Sequence, residues 1–417
     1  MAKKTTKKTT KTVATKKGSE NSLQAATALV DATFKKKDWR VVDTANAKKS
    51  LPHIPMGSIV IDYLIGGKVN QHGVPPCPGM PRNRIMQLYG HEGSGKTTLA
   101  LTCAASAIAS GGTVCYIDFE HAIIPYYAEA LGVPISDPKK FILAQPESLD
   151  QGMQIAYAMA KAGVDLIVFD SVGAGVPQKI LDQDLSDVAN LGQIGLLANM
   201  WSKFLPKIRG VLGRTGTALI GISQIRAGIN ASGHGGPSPD SIQGGNAWKF
   251  YSDLRLKLRR FSTEKTKVMN QLTNKKEDKV IGAKIVAKLD KCKVSPQQGN
   301  EEILYIRQGE GFDDYRTIIE IGIAHNLVKK SGSWVEWYSA DGTHSFKKQG
   351  IDPFRRALIQ ADGAMQALYD QVIPYLGATV TPIEDEDYEP EVGDEDMEEL
   401  GKMLAAVGSP QLGADDE

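Results

Sequence analysis

The stretch "GHEGSGKT", Gly90 to Thr97, has the residue types and spacing of a phosphate cradle. Its glycines let the backbone turn tightly enough for successive N–H groups to face an anion. An apolar run, "RIMQLY", enters it, and a helical pattern, "TLALTCAASAIA", leaves it. The positive end of that helix therefore faces the same phosphates. Lys96 is placed for the β- and γ-phosphates of a nucleoside triphosphate, and the Thr97 hydroxyl for Mg²⁺. Gly90, His91, Glu92, Gly93, Ser94, Gly95, Lys96, Thr97 and Thr98 are the expected nucleotide contacts.

Three more polar groups stand at the ends of apolar runs. Asp170 closes "DLIVFD"; beside a phosphate loop, a strand-end carboxylate is expected to organise Mg²⁺. Glu120 closes "CYIDFE" and could take a proton from an attacking water, with Asp118 a competing candidate two residues earlier. Gln224 closes "TALIGISQ", and open α/β sheets bind ligands beyond the carboxyl ends of their strands. An amide there can bond a terminal phosphate and lose that partner after hydrolysis.

Gln224 also begins a glycine-rich stretch running to Gly245, longer than ordinary connections. With Arg226, many backbone donors and few apolar residues (Ile225, Ile229, Ile242), it suits a phosphate backbone better than base edges. The expectation is a nucleotide-controlled loop. A second loop, "LDQDLSDVANLGQI" (181–194), leaves a sheet edge and ends in Ile194. An irregular surface loop is the alternative for both.

The elements that must position these groups follow from hydrophobic pattern. Runs 84–90, 112–120, 164–172 and 217–224 are nearly all apolar, as parallel strands buried on both faces require. Helices are expected at Thr97–Ala109, Leu149–Ala162 and Gly195–Leu212, the last kinked at Pro206. The fold class is α/β, with a doubly wound, mostly parallel core. "DLRLKLRR" and "IGAKIVAKL" alternate instead and extend the sheet as half-buried strands, joined by a polar hairpin loop over Ser262–Lys279. Beyond Gly311 a helix in "DYRTIIEIGIAHNL", a hairpin turning on Asp341–Gly342 and a helix over Pro353–Tyr375 make a small α+β domain. Near the start, Leu23, Ala26, Leu29, Val30 and Phe34 share one helical face, with Asn21 and Gln24 as its start signal. A short strand follows at Trp39–Val42. So small a helix and strand must dock on the main domain or on another copy.

The 417 residues carry a net charge of +1, unevenly placed. "MAKKTTKKTTKTVATKKGS" has no acids and "EDEDYEPEVGDEDMEEL" has no bases; such blocks serve as solvated tails or as interaction arms. Cys77, Cys103, Cys115 and Cys292 show no metal-type spacing. No signal peptide or membrane span is read, so the expectation is a cytoplasmic protein with no membrane partner. Five segments are expected: a basic arm (1–20), a helix–strand segment (21–56), an ATPase core (57–310), the α+β domain (311–380) and an acidic tail (381–417).

The ordered motifs "GHEGSGKTTLAL", "YIDFEHAIIPYYAEALGV", "LIVFDSV", "ISQIRAGI" and "GGNAWKFYSDLRLKLRR" resemble the RecA family of homologous-recombination ATPases. The resemblance implies a DNA-dependent ATPase using ATP and Mg²⁺, which forms a helical filament on single-stranded DNA and pairs it with double-stranded DNA. It implies Glu120 as catalytic glutamate, Gln224 as γ-phosphate sensor and Tyr127 stacked on adenine. Lys291 and Lys293 would reach the γ-phosphate of a neighbouring subunit. Val188–Ile194 and Ile225–Gly245 would be the DNA-binding loops, with Ile194 and Ile229 wedged between base triplets. Ser202, Arg226, Gly244, Gly245 and Asn246 would be further DNA contacts, and Lys249, Phe250 and Arg255 interface residues. Departures from the family stand at Ile124, where an aspartate is usual, and at Asn199 and Pro206, where basic residues are. Lys203, Lys207 or Arg209 could supply the missing phosphate contacts. A ring helicase and a nucleotide-gated DNA coat are alternative readings of the same core.

Overall fold

The computed structural model describes residues 28–30, 32, 49–69, 73–183, 193–228, 238–270 and 274–376. The chain divides into two compact units, Met1–Ser50 and Leu51–Glu417. In the first, residues 28–30 and 32 are helical, within the stretch read as an amphipathic helix. The strand expected at Trp39–Val42, the basic arm and the acidic tail lie outside the described residues.

The second unit opens with β1 (His53–Ile54), a helical turn α1 (Ile59–Asp62) and β2 (Met80–Pro81), which pairs with β1. There follow β3 (Ile85–Gly90), α2 (Lys96–Ala109), β4 (Val114–Asp118), α3 (Pro125–Ala130), β5 (Phe141–Ala144) and α4 (Leu149–Ala162). Next come β6 (Leu166–Asp170), α5 (Gln178–Leu181), α6 (Gln193–Thr215) and β7 (Ala218–Gly228). Strands β3, β7, β6, β4 and β5 lie side by side in that order, all parallel. Alternate residues of these strands serve two layers. Met86, Leu88, Tyr116 and Val168 pack with Leu99, Ala100 and Ala104 of α2. Ile85, Ile117, Ile167 and Phe169 pack with Met153 of α4 and Trp201 and Leu205 of α6. Helices on both faces explain why these strands read as unbroken apolar runs. Strand β5 was not anticipated, because four residues are too few to show a period.

The chain continues through β8 (Ser238–Ile242), α7 (Asn246–Tyr251), β9 (Leu254–Asn270), β10 (Lys275–Cys292), β11 (Glu301–Arg307) and β12 (Gly311–Phe312). Strand β9 joins β3 in parallel, and β10, β11 and β12 add antiparallel. Two expected loops prove to be ladders. Strand β7 does not end at Gln224: it runs to Gly228 and pairs with β8, Ile225 opposite Ile242. Residues 262–270 and 275–279 likewise form a two-stranded ribbon, Lys265 opposite Val280 and Lys267 opposite Asp278. Its residues are mostly polar on both faces and so show no amphipathic period, yet the backbone groups still pair.

The remaining elements are α8 (Asp314–Ala324), β13 (Lys329–Ser331), β14 (Trp334–Tyr338), β15 (Ser345–Gln349), α9 (Ile351–Gln360) and α10 (Ala364–Val372). Asp313 caps α8, accepting from the Arg316 amide. The β14–β15 hairpin forms as expected, with Asp341 accepting from the amide and hydroxyl of Thr343. The single helix expected over Pro353–Tyr375 is instead two, broken where Gly363 takes a left-handed φ of 72°. Ile318, Trp337, Phe354 and Leu368 belong to the same apolar cluster as the α2 side of the sheet.

Strand β7 is seated by an aromatic group. Trp248 of α7 packs on Trp201, with ring centroids 5.0 Å apart, and its ring covers Gly221. A Cβ at Gly221 would stand 2.2 Å from Trp248 Cη2. Gly221→Ala is therefore expected to cost about 1–3 kcal/mol of stability through overpacking, read as a lower midpoint in urea unfolding.

Candidate active site

The phosphate loop joins β3 to α2. Gly93 (φ 66°) and Gly95 (φ 88°) occupy the left-handed region, which L side chains resist. Gly90 is required for a different reason: its Cβ would meet the Leu258 carbonyl oxygen of β9 at 2.0 Å. Lys96 is only 7% exposed, and its ammonium donates to the His91 carbonyl at 2.7 Å. Burial lowers the Lys96 pKa, opposed by the nearby Asp170, Glu120 and Glu92 carboxylates. The lysine is thus held inside its own loop by one carbonyl, a bond that an anionic oxygen could replace.

Thr97 Oγ1 donates to Asp170 Oδ2 at 2.8 Å, and Tyr116, from within β4, donates to the same oxygen at 2.7 Å. Burial raises the Asp170 pKa to about 6; the bonds from Tyr116 and Thr97 oppose the rise, and Glu120 and Asp118 add to it. A hydroxyl and a buried carboxylate side by side are hard oxygen donors, suited to Mg²⁺. The residues present therefore fit that ion.

Asp118 and Glu120 separate clearly. Asp118 is fully buried. Its oxygens accept from the amides of Glu120 (3.1 Å), Ala122 (3.4 Å) and Ile123 (3.4 Å), and from Gln145 Nε2 (3.3 Å). It organises the turn after β4 and has no open side toward a ligand. Glu120 is exposed, and its carboxylate accepts from Gln224 Nε2 at 2.9 Å. Gly90 and Gln224 are opposed in the β3–β7 register, so loop, carboxylate and amide meet at one edge of the sheet.

Tyr127 of α3 shares a hydrogen bond with Thr98 Oγ1 at 3.0 Å. It lines a cleft of about 370 Å³ with Arg260, Thr263, Ile306, Gln308 and Gly309. The wall comes from β9–β11, and it leans on the loop, because a Cβ at Gly95 would touch Ile306. Ile124 is 64% exposed.

Lys291 and Lys293 are not brought to this site. Lys291 is opposed to Arg255, which is opposed to Gln87, three residues before Gly90. That places Lys291 roughly 10 Å back along the strands and two strand spacings aside. Its ammonium donates to the carbonyls of Lys249 (2.8 Å) and Phe250 (3.2 Å). Burial, then repulsion from Lys293, lowers its pKa. Lys249 and Phe250 are exposed at the same place, Phe250 to 70%.

The expected DNA contacts are spread more widely. Gly244 and Gly245 (φ 94° and 75°) join β8 to α7, and Asn246 is the exposed first residue of α7. Side chains there would strike Val172, Trp248 and Ala198. Ser202, exposed on α6, donates back to the Asn199 carbonyl. Ile194 lies in the first turn of α6 and Arg226 in β7; their side chains, with Ile229 and residues 184–192, lie outside the described residues. Pro206 sits inside α6 without ending it. Arg209 is not free for DNA, since it donates to the Tyr251 carbonyl and to buried Asp253, both at 2.8 Å. The Lys207 ammonium lies over the Tyr157 ring.

Sequence reasoning missed the buried polar layer behind the site. Gln87, in mid β3, donates to Ser223 at 3.0 Å and accepts from Arg255 Nε at 2.8 Å. Arg255 is 8% exposed and stacks on Tyr89, whose hydroxyl donates to Asp290. Arg255, expected at an interface, is thus enclosed by its own sheet. The signal was a lone glutamine inside an apolar strand.

A family model for the RecA N-terminal domain matches residues 21–309. The chain is similar to Protein RecA of Borrelia duttonii (strain Ly), 38% identical over 316 residues covering 76% of this chain and 79% of that one. It is also similar to Protein RecA of Gluconobacter oxydans (strain 621H), 39% identical over 289 residues covering 69% and 74%. Among the described residues no helix is long and apolar enough to cross a membrane.

The two carboxylates after β4 are distinguishable by stability alone. Asp118→Ala strands several amide donors and is expected to cost about 1–3 kcal/mol. Glu120→Gln, at an exposed position, is expected to stay within about 0.5 kcal/mol of wild type. Urea unfolding of both variants measures the contrast; equal losses would reverse the assignment of Asp118 as the structural one.

Proposed function

Because the chain belongs to the RecA family, we propose that it is a DNA-dependent ATPase. It assembles as a helical filament on single-stranded DNA and pairs that strand with a homologous duplex in recombination and repair. The observation that carries this reading is the contact between Gln224 and Glu120 at the mouth of the phosphate loop. One amide there joins a hydrolytic carboxylate to the strand that leads into the β7–β8 hairpin.

ATP binds with its phosphates on the Gly90–Thr97 amides and its base against Tyr127. Lys96 exchanges the His91 carbonyl for phosphate oxygens. Thr97 and Asp170 would hold Mg²⁺, which when bound offsets charge on the β- and γ-phosphates. The Gln224 amide has two competing acceptors, Glu120 and the γ-phosphate. When the phosphate takes it, Glu120 is released to accept a proton from the attacking water, and β7 is tied to the nucleotide. After hydrolysis the amide returns to Glu120. The hairpin beyond Gln224 therefore senses the terminal phosphate.

DNA contacts are assigned to Arg226, Ile229, Gly244, Gly245 and Asn246 on one side and to Ile194 and Ser202 on the other. Backbone-directed contacts leave base edges open, so complementarity is tested by pairing and not by side chains. Lys291 and Lys293 stand too far from their own loop and complete the site of a neighbour. Such a head-to-tail contact generates an open helical polymer, to which the helix–strand segment at 21–56 contributes. The domain after Gly311 helps to capture duplex DNA, restrained by the acidic tail, and the protein acts in the cytoplasm.

Three variants dissect the site in ATPase and nucleotide-binding assays. Lys96→Ala is expected to abolish ATP binding. Glu120→Gln is expected to keep it while hydrolysis falls by about 10²–10⁴-fold. Gln224→Ala is expected to bind ATP but lose stimulation by single-stranded DNA; ordinary stimulation would refute the sensor role.

The shared site makes its own prediction. A Lys291→Ala/Lys293→Ala variant and the Lys96→Ala variant are each expected to be inactive alone. Mixed, they restore part of the ATPase, since one supplies intact loops and the other intact lysines. No recovery in mixtures that form filaments by electron microscopy would place the lysines outside the reaction.

A further inference from the structure

Two arginines line the cleft beside the phosphate loop, and their surroundings are opposite. Arg307 lies 3.0 Å from Asp352, 3.3 Å from Asp313 and 3.5 Å from Glu310, so its charge is consumed by three carboxylates. Arg260, where β9 passes into the ribbon, is exposed, and its side chain has no hydrogen-bond or ion-pair partner among the described residues.

Arg260 nevertheless does not point away from the molecule. A Cβ built on Gly93 would stand 3.2 Å from its Nη2, 3.5 Å from Cζ and 3.8 Å from Nη1. Those near-equal distances lay the guanidinium against the loop at Gly93. The same side chain lines the cleft with Tyr127, Thr263, Gln308 and Gly309. It therefore sits between the amides that would cradle phosphates and the wall that would receive a base. An unpaired planar cation with a fork of donors suits a phosphate oxygen at that place.

We infer that Arg260 is a nucleotide-binding residue, donating from the same chain as the loop to a non-bridging oxygen of the diphosphate portion of the bound nucleotide. The inference rests on the nucleotide site proposed above. It differs from that site in its consequence, because a grip on the diphosphate holds ATP and ADP alike. Lys96 and Gln224 respond to the terminal phosphate, whereas Arg260 sets how firmly either nucleotide is retained.

The test is equilibrium binding of fluorescently labelled ADP to the full-length protein without DNA, comparing wild type, Arg260→Ala and Arg260→Lys. Adenosine competes as the phosphate-free probe. Arg260→Ala is expected to weaken ADP at least about tenfold, the scale of a charge-assisted hydrogen bond. Arg260→Lys recovers part of the loss, and adenosine binding stays within about twofold. ADP affinity unchanged in Arg260→Ala overturns the inference. An equal loss for adenosine overturns it too, by showing that the side chain only shapes the cleft. Unchanged ADP binding with a shallower salt dependence of single-stranded DNA binding would assign Arg260 to the polymer's phosphates instead. Failure of the wild type to bind ADP, or ADP binding indifferent to Lys96→Ala, would remove the nucleotide site itself.

Discussion

The parallel register of β3, β4, β6 and β7 is the constraint from which the candidate site follows. It sets Gly90 opposite Gln224 and Asp118 opposite Asp170. Groups far apart in the sequence thereby end at one sheet edge. Strands β3, β4 and β6 give way there to loops or helix starts whose backbone groups are not consumed by the ladder, while β7 runs on to pair with β8. Residue types fit for phosphate and Mg²⁺ are found where free amides and a helix N-terminus already favour an anion.

Electrostatics at this edge are finely opposed. Asp170, nearly enclosed and close to Glu120 and Asp118, is driven toward the neutral acid, while Tyr116 and Thr97 favour its anion. Lys96, also enclosed, is held by carbonyl and carboxylate neighbours. Such groups are costly to bury without partners, and each has a partner that a ligand could replace. The Glu120–Gln224 pair has the same character: an amide able to choose between two acceptors.

Behind the edge, the sheet is not wholly apolar. Gln87, Ser223, Arg255, Tyr89 and Asp290 form a bonded layer from the residue before Gln224 to the residue before Lys291. Breaking any of its hydrogen bonds leaves a buried donor or acceptor unsatisfied, so the layer resists partial change. It joins Ser223, in the middle of β7, to the far corner where Lys291 holds the Lys249 and Phe250 carbonyls. The two ends of the proposed assembly contact are thus mechanically continuous within one chain.

The sequence alone determined the phosphate loop, the strand-end position of Asp170, Glu120 just beyond β4, and the helices at 97–109 and 149–162. In each case a local signal is strong: glycine spacing, an unbroken apolar run, or a helical period ending in glycine. Tertiary structure decided the rest. It separated Asp118 from Glu120, because burial and amide donors are properties of the folded turn and not of spacing. It turned 262–270 and 275–279 into a ribbon and extended β7 past Gln224, since backbone pairing depends on the partner strand and leaves little trace in polar residues. It enclosed Arg255, engaged Arg209 and left Arg260 unpaired, although all three are equally arginine in the sequence. A charge acquires its meaning from what packs beside it, and that is fixed only when distant strands meet.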